Sequence, residues 1–109
     1  MTAERFAALV AQQPENEKFR FSLAQALLRE ARLPEAVVQL ETCVHKKADW
    51  MMAQILLGKT LLALGRPTEA RPRFETALQL AIAQDHEDPA REMQALLADL
   101  SPKERPDTD

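Results

Sequence analysis

A chain of 109 residues, 46% hydrophobic and 28% charged, has the size and composition of one ordered globular domain. Its formal charge of −3 argues against a phosphate-backbone ligand, which demands dense Lys and Arg. One cysteine, Cys43, permits neither an internal disulfide nor a cysteine metal cage, and no apolar run approaches the ~18 residues of a membrane span. The N-terminal stretch carries Glu4 and lacks the long apolar core of a signal peptide, so the expected location is cytoplasmic.

Apolar residues recur at three-four spacing along the chain, the period of amphipathic helices. Phe6, Leu9 and Val10 mark a first helix over 2–13, which Pro14 ends. Asn16 is placed to cap a second helix carrying Leu23 and Leu27, and the segment Arg32 to Pro34 separates it from a third with Val37, Leu40 and Val44. Asp49 is the expected cap of a fourth helix with Ile55, Leu57, Leu61 and Leu64, ended by a left-handed Gly65. A fifth helix follows. Pro72 either interrupts its second turn, if it starts at Pro67, or stands near its first turn, if Thr68 is the cap. Asp88 and Pro89 resemble a cap and first-turn proline for a sixth helix ending near Leu100. The tail 101–109 holds two prolines and no large apolar residue and is expected to be flexible.

Laying the chain over itself at a shift of 34, the difference between positions 70 and 36, aligns these helices in pairs. Leu57 falls on Leu23, Gly58 on Ala24, Leu61 on Leu27, Ala70 on Ala36, Phe74 on Leu40, Ala77 on Cys43 and Leu78 on Val44. Small residues thus recur where two helices would touch, with a large one beside them. The first helix matches the second member of a pair, Phe6 falling under Leu40 and Val10 under Val44. At the far end a strict shift would bury Arg91, Glu92 and Ala95; slipping by two residues buries Ala90, Met93, Leu97 and Leu100 instead, which implies that the connection Gln84 to Asp88 is two residues longer than a standard turn.

On Leu57, Gly58, Leu61, Gly65, Ala70, Phe74, Ala77 and Leu78 the sequence resembles the tetratricopeptide repeat family. The resemblance implies an all-α fold, a right-handed α-solenoid of antiparallel helix pairs with about six helices. Residues 1–100 would form a single domain: an N-terminal helix at 2–13, one unit at 17–48, a second at 51–84 and a capping helix at 88–100. It further implies a noncatalytic interaction module in which the first helix of each pair lines a groove for a protein or peptide partner. Carried over position by position, that groove comprises Lys18, Phe21, Gln25, Leu28 and Arg29, then Met52, Ile55, Lys59, Leu62 and Ala63, then Arg91, Ala95 and Asp99. Phe21 and Gln25 replace the Lys and Asn with which some members clamp acidic C-termini, and the apolar groove residues suit an amphipathic helix from a partner or a second copy of the chain.

No residues are spaced for catalysis, and no cofactor or metal is expected. Cys43 and His45, two apart, point about 200° away from each other on a helix, and Cys43 occupies a small core position. His86 among Asp85, Glu87 and Asp88 superficially resembles a hard-cation cluster but reads as a solvated acidic loop. Trp50, at a helix junction, is expected to seal the joint between units.

Overall fold

The computed structural model describes residues 1–100. They form six α-helices and, among the described residues, no strand: α1 (Ala3–Gln12), α2 (Glu17–Arg29), α3 (Leu33–Lys46), α4 (Met51–Ala63), α5 (Pro67–Ala83) and α6 (Glu87–Leu100). The tail expected to be flexible, 101–109, lies outside them.

Each helix packs chiefly on its neighbours in the chain: α1 on α2, α2 on α3, α3 on α4, α4 on α5 and α5 on α6. The result is a slab of 54 × 30 × 20 Å, an all-α array of helix pairs rather than a closed bundle.

Small residues set the pair geometry. Ala24, Ala36, Ala53, Ala70, Ala77 and Ala81 are wholly buried, and Leu40, Phe74 and Met93 are the largest side chains with no exposure. A Cβ added to Gly58 would stand 2.5 Å from Cε1 of Phe74 and 2.8 Å from its Cδ1, so α4 approaches α5 more closely than any residue but glycine permits. In the first pair the corresponding positions hold Ala24 and Leu40, each buried completely. A methyl is added on one helix where a smaller side chain stands on the other.

The helix ends follow local chemistry in some places and packing in others. Asn16 caps α2, its Oδ1 accepting from the backbone N–H of Lys18 (3.1 Å) and Phe19 (3.4 Å). Gly65 ends α4 at φ 75°, with Gly65 N–H donating to Leu62 O (3.0 Å) and Arg66 N–H to Leu61 O (2.9 Å). The same two bonds close α2, from Ala31 to Leu28 O and Arg32 to Leu27 O, around a non-glycine Ala31 at φ 60°. Asp49 is not the α4 cap: Trp50 takes that place without a side-chain bond. Asp88 is not the α6 cap either, because α6 opens at Glu87 and places Asp88 and Pro89 inside its first turn.

α5 begins at Pro67, so Pro72 lies within the helix and leaves the Thr68 carbonyl without its amide donor. The two-residue slip at the end of the array is present, but its location differs from the expectation. α3 ends at Lys46, whose counterpart at the 34-residue shift is Leu80, yet α5 runs on to Ala83, three residues further. The α5–α6 turn is then one residue shorter than the four-residue α3–α4 turn, and three minus one gives the slip of two. Helix extension, not a longer loop, carries it. Asp85 in the left-handed region (φ 59°) makes that tight turn, with His86 N–H bonded to Ala81 O at 2.8 Å. The slip buries Met93 fully while Arg91 and Glu92 stay exposed.

Candidate interaction face

The expected groove residues occupy equivalent turns of α2 and α4, with α6 alongside, but they fall into two classes. Lys18, Gln25, Arg29, Lys59, Ala63, Arg91, Ala95 and Asp99 are exposed, and Met52 retains 46% exposure. Ile55 does not belong with them: at 4% exposure it is part of the main core cluster with Leu57, Leu61, Phe74 and Met93. Phe21 and Leu62 are half-buried against the same cluster, and Leu28 is half-buried against the smaller one formed by Ala3, Leu23, Ala26, Leu27 and Ala36. The apolar groove expected from Phe21, Leu28, Met52, Ile55 and Leu62 is therefore largely consumed by internal packing. Met52 is its one strongly exposed member.

Phe21 is tied down by Trp50, the two rings lying 4.7 Å apart at 33°, and Trp50 packs on the core as the seal between α2 and α4. Lys47 reaches over the Trp50 ring, 6.0 Å from its centroid. Lys59 spans from α4 to Glu92 of α6 at 2.6 Å, joining two helices of the candidate face. Arg91 turns instead to Asp88 on its own helix at 3.4 Å, an exposed pair worth little. What α2 and α4 present is a cationic surface (Lys18, Arg29 and Lys59) with Gln25 and the flexible thioether of Met52 among them.

Two further furrows lie elsewhere, and position-by-position transfer of groove residues did not point to them. One, about 300 Å³, is lined by residues of α1, α2 and α3 that include Ala7, Leu23, Leu27, Glu35, Val38 and Gln39. The other, about 560 Å³, is lined by residues of α3, α4 and α5 that include Glu41, Leu57, Leu61, Glu69, Pro72 and Arg73. Those six pairs are related by the same 34-residue shift, which was the available signal. None of the expected groove residues lines either furrow.

The residues weighed for chemistry are kept apart. Cys43 is fully buried, and burial pushes its thiol up to about 11, away from the reactive thiolate; His45 is exposed. Among the described residues no group of three His, Cys, Asp or Glu side chains is placed to hold a metal ion, the His86 turn included. No helix among them is long and apolar enough to cross a membrane.

This arrangement matches solved structures. The TPR2B domain of yeast Sti1, solved in complex with pHsp70, superposes at a TM-score of 0.79 with 19% identity, covering 93% of this chain and 81% of that one. A tetratricopeptide repeat domain protein from Salinibacter ruber gives 0.74 with 22% identity over 89% and 98% of the two chains. A protein from Bordetella parapertussis gives 0.75 with 26% identity over 94% and 90%. The chain has the fold of a small tetratricopeptide repeat domain. No family model matches this sequence, and no curated protein does. The tetratricopeptide repeat likeness is thus carried by backbone geometry and by the few small and large residues that set it.

Proposed function

We propose that this tetratricopeptide-like chain is a noncatalytic protein-interaction module that holds a peptide or amphipathic helix on the face of α2, α4 and α6. Two full units, 17–48 and 51–84, would form the face, with half-units at 2–13 and 88–100 closing the ends. The observation that carries this reading is the composition of the exposed face. On α2, Lys18 and Arg29 are exposed with Gln25, and on α4 Met52 is exposed, while Lys59 is engaged by Glu92 and Asp99 lies exposed at the α6 end of the face. Such a surface suits a segment with acidic residues around an apolar anchor, since charge complementarity selects the partner while Met52 adapts to its shape. That the Sti1 neighbour was solved with pHsp70 gives the same backbone a precedent for a protein ligand.

The test is selection of binding peptides from a displayed random library, followed by titration of the best against variants. Met52→Glu and the pair Lys18→Glu, Arg29→Glu alter exposed side chains only. Each should weaken binding by about tenfold or more while helicity and melting temperature hold. Ile55→Glu is not a usable probe, because it would place a charge in the core. Peptides that bind every variant equally, or a chain that selects none, would overturn the assignment to this face.

A further inference from the structure

At the seam between successive units one polar contact occurs twice with its partners exchanged. In the first unit Arg20 of α2 donates from Nη2 to the Pro14 carbonyl (3.0 Å) and from Nη1 to Oε1 of Gln39 on α3 (3.0 Å). In the second, Gln54 of α4 donates from Nε2 to the Ala48 carbonyl (2.9 Å), while its Oε1 accepts from Nη1 of Arg73 on α5 (3.0 Å). Positions 14, 20 and 39 become 48, 54 and 73 at the 34-residue shift, so all three sites coincide. The arginine has changed helices.

We propose that this Arg–Gln clasp is a conformational device of the fold, which ties each first helix both to its own partner helix and to the chain entering from the previous unit. It works only as a complementary pair. One guanidinium and one amide can satisfy both the carbonyl and each other. Two guanidiniums would repel across a partly buried seam, and two amides would lose the charge-assisted bond. The seam is demanding because Gln54 is only 2% exposed, and the Nε of Arg20 is buried without a partner. The second unit's arrangement is thus the better satisfied of the two. By fixing how α2 and α4 lean on the units around them, the clasp sets the shape of the face they share.

The experiment is a thermal double-mutant cycle on the whole chain. Gln39→Arg and Arg20→Gln should each lower the melting temperature by roughly 5–10 °C, from loss of one part-buried charge-assisted bond in a domain of this size. The double variant Arg20→Gln, Gln39→Arg converts the first clasp into the second and should melt at or above the wild-type temperature. Gln79→Arg, an exposed site on α5, controls for added positive charge and should leave the transition in place. If a single variant fails to fold, a folded double variant is the expected rescue. A double variant that melts at the sum of the single losses, or does not fold, overturns the proposal, as do single variants that melt with the wild type.

Discussion

Gly58 shows how much one methyl can weigh. A helix-interior glycine normally gains about 1 kcal/mol on replacement by alanine. Here the new Cβ would meet the Phe74 ring at 2.5 Å, and overpacking of that kind costs about 1–3 kcal/mol, so Gly58→Ala should destabilise the chain. Phe74→Leu alone should also cost about 1 kcal/mol or more by leaving a void. Together the two changes recreate the Ala24 and Leu40 pair of the first unit, so the double variant should be more stable than the sum of its parts in chemical denaturation. Additive losses would mean that Gly58 and Phe74 are not a matched pair. Ala31 invites the opposite change. An L-residue at φ 60° carries a strain of about 1–2 kcal/mol, and Gly65 holds the same place in the second unit. Ala31→Gly should therefore raise stability by about 0.5–1 kcal/mol, and an unchanged or lowered denaturation midpoint would refute the strain. The 34-residue shift marks Ala31 as the counterpart of Gly65, although alanine's own preference for helix gives no sign of a left-handed conformation there. Ile55 was illegible for another reason. α4 carries Met51, Met52, Ala53, Ile55, Leu56, Leu57, Leu61 and Leu62, so apolar residues surround it and no polar stripe shows which side faces out.

Among elements, the ties that hold α1 are electrostatic as much as apolar. The Ala3 N–H at the start of α1 donates to Glu30 Oε2 (3.0 Å), and Arg32 binds Glu4, Glu30 and Glu35 at 2.9–3.1 Å, joining α1 to the turn between α2 and α3. The Ala3 amide, then Arg32, hold the Glu30 carboxyl below its ordinary range, and Arg32 does the same for Glu35. Lowered folded-state values mean a stability contribution that is complete above the ordinary carboxylate range and disappears as pH falls through and below it. The melting temperature should drop on acidification from pH ~5 to ~3, and Arg32→Gln should flatten that drop. Parallel curves for the two proteins would remove Arg32 from the account. The element order was legible because three-four spacing and the 34-residue repeat reinforce one another. The reach of α5 was legible as well, since Leu80, Ala81, Ile82 and Ala83 continue the helical pattern within the unit read as 51–84, but the short turn after it was not, because α6 opens at Glu87 before the cap expected at Asp88. Caps divided similarly: Asn16 acts through its own side chain, whereas Trp50, which precedes α4, makes no side-chain cap bond and instead stacks on Phe21.

At the scale of the molecule, the last described helix departs from the pattern of the two units before it. With the two-residue slip, Gln94 of α6 stands where Ala24 and Gly58 admit a neighbouring helix, and it is exposed. Of the expected face, the charged, polar and small members and Met52 are exposed, while Phe21, Leu28, Ile55 and Leu62 are drawn into packing. Its apolar members sit on helices that must also feed two core clusters, and sequence spacing cannot apportion a leucine between the two duties.

The packing of each helix chiefly on its chain neighbours has a mechanical consequence. In a 54 Å stack joined seam by seam, small tilts at successive joints would add along its length while every joint kept its own contacts. Opening or tightening the curve then requires no single large rearrangement. Any such tilt would be taken up at the seams, which Arg20 with Gln39 and Gln54 with Arg73 bridge.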